Sequence, residues 1–219
     1  MEGLKRSDRS DLKGGALPLL WAVASAPLPG ETESGDRFLV EEFSGGALVA
    51  VVDALGHGPR ASRIAQKAIE TLARFPSDSV AALIRRCHEL SSERLGATIS
   101  LASFDWRWQQ MQWLGVGNVM GVLVPHAAPP GKPSRHLLVR AGLVGGNLPD
   151  LHPTAITLVR GDTLIIHTDG IDEGFAEDLE RDLTPQPLAQ HILTQYSKGT
   201  DDALVLVVRY GALAHGRGS

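Results

Sequence analysis

The sequence predicts an α+β fold, in which antiparallel β-sheets form a layered sandwich with helices covering its faces. Three observations predict it. Short apolar runs alternate with turn residues along most of the chain and indicate about ten strands. These runs mostly follow one another directly, without the strand–helix alternation of a doubly wound parallel sheet. Two segments with helical periodicity interrupt them early, and a third comes near the end.

The predicted strands are short, rich in β-branched residues and leucine, and bounded by glycine, proline or acidic residues. In chain order they are LPLLWAVASA, RFLVEEF, ALVAVVD, TISLASF, MQWLGV, VMGVLVP, HLLVRA, AITLV, TLIIHTD and ALVLVVRY.

The predicted helices carry apolar residues at intervals of three and four, which places those residues on one helical face. The first face comprises Ala61, Ile64, Ala65, Ala68, Leu72 and Phe75, and the second Val80, Leu83, Ile84, Cys87 and Leu90. A third helix is predicted from Pro187 to Tyr196.

Composition points to a single domain. The chain has 219 residues, of which 43% are hydrophobic and 21% charged, enough for one sizeable core. We expect a flexible N-terminal tail over residues 1–15, one domain over 16–211 and a flexible C-terminal tail over 212–219.

The formal net charge of -4 argues against nucleic acid as a partner. No apolar run approaches the roughly 20 residues that span a bilayer, and the polar N-terminus lacks a signal peptide, so we expect a cytoplasmic protein with no membrane partner.

Acidic residues stand where apolar runs begin or end. Asp53 ends one run, Asp169 ends another, Asp36 opens a third, and Asp201 and Asp202 directly precede the last. Carboxylates gathered at one end of a sheet repel each other unless cations lie between them. Magnesium and manganese, which prefer oxygen ligands, are the usual cations at such sites. Because aspartate is also common at turns and helix caps, each motif taken alone favours a structural role, and only their conjunction in this order favours a metal site.

Six short motifs follow one another along the chain: Ser34-Gly35-Asp36, Asp53-Ala54-Leu55-Gly56-His57-Gly58, Gly96-Ala97-Thr98, Gly115-Val116-Gly117-Asn118, Thr168-Asp169-Gly170 and Asp201-Asp202-Ala203. This pattern resembles the metal-dependent PPM serine/threonine phosphatases, and more narrowly their bacterial SpoIIE/RsbX branch. The resemblance spans roughly residues 33–208. It implies two antiparallel sheets packed as a sandwich, with helices on both outer faces and the active site at one end.

The resemblance also implies a centre of two divalent cations, Mn²⁺ or Mg²⁺. Asp53 would bridge both ions and thereby activate water, and the backbone carbonyl of Ala54 would bind one ion. The remaining ligands would be Asp36, Asp169 and Asp201.

Other motif residues are expected to support these ligands. Asp202 would lie behind them, and the glycines and small polar residues would shape the turns and strands beneath the site. These residues are Gly56, Gly58, Gly96, Gly117, Gly170, Thr98 and Asn118.

Two positions depart from the eukaryotic relatives. Many of those enzymes carry an acid where Asn118 stands, so the resemblance leaves open whether a third metal site exists. Their proposed general-acid histidine comes two residues after the bridging aspartate, whereas His57 comes four residues after it. His57 could therefore act as an acid or could serve the entry into the following helix.

The resemblance implies a phosphorylated protein as substrate. RsbX-like enzymes act on stressosome STAS-domain scaffold proteins of the RsbR and RsbS type and so reset a general stress response. SpoIIE- and RsbU-like enzymes act instead on anti-anti-sigma factors. A phosphatase-like module that binds partners without turnover is the alternative outside enzymes. We expect a monomer.

Overall fold

The structure, a computed structural model, describes residues 19–90, 96–126, 134–177 and 179–211. The predicted tails, residues 1–15 and 212–219, lie outside the described residues, as do residues 16–18 at the start of the predicted domain.

Eleven strands, three α-helices and one short 3-10 helix make up the described fold. The strands are β1 (Leu19–Ala26), β2 (Asp36–Phe43), β3 (Gly46–Ala54), β4 (Ala97–Asp105), β5 (Gln110–Val116), β6 (Met120–Val124), β7 (Arg135–Leu137), β8 (Val139–Arg140), β9 (Thr154–Thr157), β10 (Thr163–His167) and β11 (Ala203–Tyr210). The helices are α1 (Gly58–Arg74), α2 (Val80–Glu89) and α3 (Pro185–Tyr196), and the 3-10 helix covers Glu173–Ala176.

The strands form two sheets. The first has the order β1-β11-β10-β6-β7, and the second has the order β2-β3-β4-β5-β8, with β9 also paired to β5. All strand pairs are antiparallel except β5–β8, which is parallel. The predicted sandwich of antiparallel sheets is therefore confirmed, with one short parallel pair at an edge.

The segment HLLVRA was predicted as one strand, and that prediction was wrong. It divides at Leu138 into β7, which pairs with β6 in the first sheet, and β8, which pairs with β5 in the second. The Leu138 side chain is 66% exposed, as expected where the chain crosses from one sheet to the other. An apolar run shows that a segment packs well but carries no information about which sheet it joins.

The core has three layers, which explain the long apolar runs. Strands β3 and β11 are buried on both faces, so their consecutive apolar residues alternate between two layers. Trp113 and Leu206 lie between the sheets. Leu72 of α1 packs in the layer between α1, α2 and the outer face of the second sheet. Ile192 of α3 packs in the layer between α3 and the outer face of the first sheet. Helices thus cover both outer faces.

The helix ends follow from local chemistry. Pro59 occupies the first turn of α1, where a missing N–H costs no hydrogen bond. The Ser79 hydroxyl caps α2 by accepting a hydrogen bond from the Ala82 amide. Helix α3 begins at Pro185, two residues before the predicted start, because proline is tolerated in a first turn. No helix of the described chain is both long and apolar enough to cross a membrane.

Replacing Leu83 by alanine should destabilise the layer beneath α2. Leu83 is fully buried, so Leu83→Ala is expected to lower the free energy of unfolding by about 2–5 kcal/mol. The control, Arg85→Ala, removes an exposed side chain of the same helix and should change it by less than about 0.5 kcal/mol. Denaturant unfolding measures both, and equal effects would contradict the predicted packing of α2.

Candidate metal centre

The predicted metal ligands converge at one end of the sandwich, where strands of both sheets meet. In the second sheet, Asp36 at the start of β2 lies directly opposite Asp53 near the end of β3. Asp53 in turn lies opposite Thr98 on β4. In the first sheet, Asp169 lies two residues after the end of β10, and Asp201 lies two residues before the start of β11. Antiparallel pairing of β10 with β11 brings these two ends together.

Thr168 joins the two sheets at this point. Its hydroxyl donates a hydrogen bond of 2.8 Å to Oδ2 of Asp36 and accepts one of 2.9 Å from the Leu204 amide. The side chain is fully buried. Sequence reasoning included Thr168 in a motif but gave it no role. The link spans 132 positions of sequence, so only the strand pairing reveals it.

Burial and mutual repulsion act together on the two central carboxyls. Burial, with a further contribution from the charge of Asp53, raises the pKa of Asp36 to about 8. Burial, with contributions from the charges of Asp169, Asp201 and Asp202, raises the pKa of Asp53 to about 7. Without a cation, Asp36 would therefore hold a proton at neutral pH, and Asp53 would be partly protonated.

This donor set fits divalent cations in chemistry and in charge. All predicted side-chain ligands are carboxylates, the hard oxygen donors that Mg²⁺ and Mn²⁺ prefer. Among the described residues, no three acidic, histidine or cysteine side chains converge tightly enough to enclose an ion. Several of these carboxylates accept protein hydrogen bonds instead: Asp36 from Thr168, Asp169 from Asn118 and Asp201 from the Asp202 amide. Cation binding would require them to turn towards one another.

Asp202 occupies a different position from Asp201. Asp202 is 4% exposed, and its two oxygens accept hydrogen bonds from the amides of Leu28 at 2.7 Å and Gly35 at 2.6 Å. Both carboxylate oxygens therefore hold the loop that leads into Asp36. Asp201 is exposed. The position of Asp202 behind the site is thus occupied by backbone contacts, and the role of Asp201 as the ligand stays a prediction.

Asn118 connects two parts of the site. Its side-chain oxygen accepts a hydrogen bond of 2.6 Å from the Thr98 hydroxyl, and its Nδ2 donates one of 2.6 Å to Oδ2 of Asp169. Both ends of the Asn118 amide are engaged with protein groups, so this residue orients Asp169 in the structure.

The predicted glycines meet steric demands at the turns. Gly56 and Gly58 adopt positive φ angles of 89° and 70°, which glycine tolerates best. A side chain at Gly170 would clash with the backbone carbonyl of Asp202. Ala54 is buried, and its amide donates to the carbonyl of Gly35 at 3.2 Å, which brings the end of β3 next to the Asp36 loop.

His57 lies at the start of α1, half exposed, and its Nδ1 is 2.6 Å from Oε1 of Glu31. The Glu31 carboxylate also lies against Gly58, where a side chain would come within 2.7 Å of it. The pair therefore ties the loop before β2 to the entry of α1. Of the two roles left open for His57, this geometry favours the helix entry. Glu31 gave no sequence signal, because the contact depends on how two distant loops meet.

Lys198 is a second residue that sequence reasoning missed. Its Nζ donates a hydrogen bond of 2.7 Å to the backbone carbonyl of Asp169, and its amide donates to the carbonyl of Gly170 at 2.9 Å. Lys198 therefore holds the turn that carries Asp169 and adds a positive charge at the rim of the acidic site.

Comparison with known proteins identifies the family. The family described as "Stage II sporulation protein E (SpoIIE)" matches residues 44–211, more than half of the chain. The chain belongs to the SpoIIE family. Membership places it among the metal-dependent PPM, or PP2C-type, serine/threonine phosphatases and confirms the expected family and fold.

Individual relatives of this SpoIIE-family chain agree. The phosphoserine phosphatase RsbX of Bacillus subtilis (strain 168) is 28% identical over 143 residues, which cover 65% of this chain and 70% of RsbX. A structure described as "The bacterial stressosome: a modular system that has been adapted to control secondary messenger signaling" is 29% identical with a TM-score of 0.80, and the match covers 88% of this chain and 100% of that one.

Two structures with metal ions share the fold. RsbX in complex with magnesium superposes with a TM-score of 0.79 at 21% identity, covering 95% of this chain and 100% of that chain. The catalytic domain of the phosphatase PstP in complex with two manganese ions superposes with a TM-score of 0.68 at 17% identity, covering 89% and 99% respectively. Magnesium and manganese are thus the ions found in this fold, as expected for the cofactor.

The metal-free protein should lose stability as pH rises from 5 to 8. The folded state has the raised pKa values, about 8 for Asp36 and about 7 for Asp53, so it binds more protons than the unfolded chain in this window. We expect the free energy of unfolding to fall by at least about 1 kcal/mol, the equivalent of one pKa unit. Unfolding in the presence of chelator at each pH measures this. Asp36→Asn is the control and should reduce the slope; an unchanged slope would contradict the assignment.

Mutation should distinguish the role of Asp201 in metal binding from the role of Asp202 in stability. Asp202→Ala leaves the Leu28 and Gly35 amides without their acceptor and should lower the free energy of unfolding by about 1–3 kcal/mol. Asp201→Ala, at an exposed position, should cost less than about 0.5 kcal/mol while weakening metal binding. Unfolding at pH 5, where repulsion is smallest, and metal titration by calorimetry measure the two effects. The reverse pattern would exchange the two roles.

Proposed function

We propose that this chain is a metal-dependent phosphatase that hydrolyses phosphoserine or phosphothreonine on stressosome scaffold proteins of the RsbR and RsbS type, and so resets a bacterial general stress response. The observation that carries the proposal is the convergence of Asp36 and Asp53 from one sheet with Asp169 and Asp201 from the other. Carboxylates that repel each other at the end of a rigid sandwich form a site for cations.

In this proposal Asp53 would be the central ligand of two divalent cations, and Asp36, Asp169, Asp201 and the carbonyl of Ala54 would complete the donor set. The bound ions supply positive charge that stabilises the phosphoryl oxygens and lowers the pKa of a nucleophilic water. The carboxylates would fix where that charge lies, because Asp36 and Asp53 stand on packed strands and Asp169 and Asp201 lie two residues from the ends of theirs.

The surrounding residues keep the ligands oriented. Thr168 holds Asp36 through its hydroxyl, and Asn118 holds Asp169 through its amide. Asp202 fixes the loop before Asp36 by accepting two backbone hydrogen bonds. The pair of His57 and Glu31 holds the same loop against α1. We infer that His57 acts through this contact rather than as the acid that protonates the leaving oxygen.

The similarity to RsbX and to the stressosome structure supports the choice of substrate. Both relatives are nearly 30% identical to this chain. The structures of the phosphatase domain of SpoIIE and of the RsbU and RsbW domains share the fold at 21% and 19% identity. Phosphorylated anti-anti-sigma factors are therefore the competing substrates in the assay below.

Asp53→Asn should abolish manganese-dependent dephosphorylation while the fold remains intact. The substitution keeps the shape of the side chain but removes the charge that bridges the ions, and we expect a loss of at least about 10³-fold in kcat. Phosphate release at saturating Mn²⁺ measures activity, and circular dichroism measures folding. Arg107→Ala, at the opposite end of the sandwich, is the matched control. Full activity of Asp53→Asn would rule out the assigned role.

Incubation with Mn²⁺ and phosphorylated candidate proteins tests the substrate. We expect phosphate release from scaffold proteins of the RsbR and RsbS type and little from anti-anti-sigma factors. Release from the anti-anti-sigma factors alone would assign the SpoIIE- or RsbU-like substrate. Binding of partners without release from any of them would support the non-catalytic alternative.

A further inference from the structure

The exposed face of α1 carries a stripe of charged residues, mostly basic. Helical positions spaced by three and four residues lie along one face. Five charged residues of α1 have this spacing, and all five are exposed. These residues, called the α1 stripe below, are Arg60, Arg63, Lys67, Glu70 and Arg74. The opposite face, which includes Ala61, Ala65, Ala68 and Leu72, is buried against the second sheet.

The α1 stripe begins beside the candidate metal centre. Helix α1 starts at Gly58, five residues after Asp53, so Arg60 and Arg63 lie in the first two turns next to the site. From Arg60 to Arg74 the stripe extends along the sandwich for about 21 Å, at 1.5 Å per residue. It is therefore long enough to contact a segment of a protein whose phosphorylated residue lies in the site.

The arginines of the α1 stripe are available to a partner. Within the described part of the chain, Arg60, Arg63 and Arg74 form no ion pair or hydrogen bond through their side chains. Glu70, the single acid of the stripe, accepts a hydrogen bond of 3.0 Å from Nε2 of Gln66. Arginine side chains that form no contact of this kind can donate hydrogen bonds to carboxylates or phosphates of another molecule.

The stripe contrasts with the rest of the surface near the site. The whole chain carries a formal net charge of -4, whereas the α1 stripe has four basic residues and one acidic. Directly after Asp169, the exposed charged residues Asp172 and Glu173 are both acidic, and Lys198 at the same turn is basic. The α1 stripe therefore carries more basic residues than this part of the rim.

We propose that the α1 stripe is the docking surface for an acidic segment of the phosphorylated protein substrate. This inference rests on the proposed function, because it places the phosphorylated residue in the metal centre. The substrate is an anion at its phosphoryl group, and the acidic metal centre repels it until cations bind. A basic surface beside the site raises the rate of encounter with such a substrate and selects its orientation.

Charge reversal tests this docking surface. Arg60→Glu combined with Arg63→Glu should lower kcat/KM for a phosphorylated RsbS-type protein by at least about tenfold at low salt, through KM, and should weaken its salt dependence. Activity on p-nitrophenyl phosphate, which is too small to reach the stripe, should stay unchanged. The control is Arg107→Glu combined with Arg135→Glu, which makes the same change in net charge on the β4–β5 hairpin and on β7.

Three results would overturn the docking surface. They are an equal loss in the control variant, an equal loss on p-nitrophenyl phosphate, and an unchanged KM for the protein substrate. Binding is measured in parallel on the Asp53→Asn protein, which separates docking from turnover. If no protein is dephosphorylated but the phosphoprotein still binds through the stripe, the proposed function fails and docking stands. If anionic vesicles or single-stranded RNA bind through the stripe and the phosphoprotein does not, docking of a protein fails.

Discussion

Repulsion among carboxylates at one end of the sandwich is the constraint on which the rest of the site depends. The pairing of β2 with β3 sets Asp36 against Asp53, and the pairing of β10 with β11 adds Asp169 and Asp201. Asp36 and Asp53 stand on paired strands, and Asp169 and Asp201 lie two residues from the ends of β10 and β11, so strand pairing keeps their backbones close. The fold therefore maintains an unfavourable concentration of negative charge, and cations are its natural compensation.

The neighbouring residues serve this arrangement by holding loops rather than by adding ligands. Asp202 and the pair of His57 with Glu31 fasten the loop that leads into β2. Lys198 fastens the turn after β10. Carboxylates that repel one another stay close only where surrounding contacts hold their backbones, and these contacts supply that support. Neighbours in sequence can therefore differ in their contacts: Asp202 binds two backbone amides of the loop before β2, whereas Asp201 is exposed.

Much of the fold could be predicted from the sequence because apolar periodicity reports burial directly. The strand ends at Asp53 and Asp169 were visible as carboxylates that interrupt buried runs. The division of HLLVRA at Leu138 was not visible, because both halves are apolar and only pairing separates them. The roles of Thr168, Glu31 and Lys198 could not be predicted for a related reason. Their roles depend on contacts with distant segments, and local composition carries no record of such contacts.

The hydroxyl of Thr168 has a further consequence. It is a single-atom link between a carboxylate of one sheet and a backbone amide of the other. A change in the distance between the sheets at this end therefore also changes the position of Asp36. Side chains deep in the interior, such as Trp113 and Leu206, determine the spacing of the two layers. A change in core volume would therefore move Asp36, far from that residue and without altering a single acid.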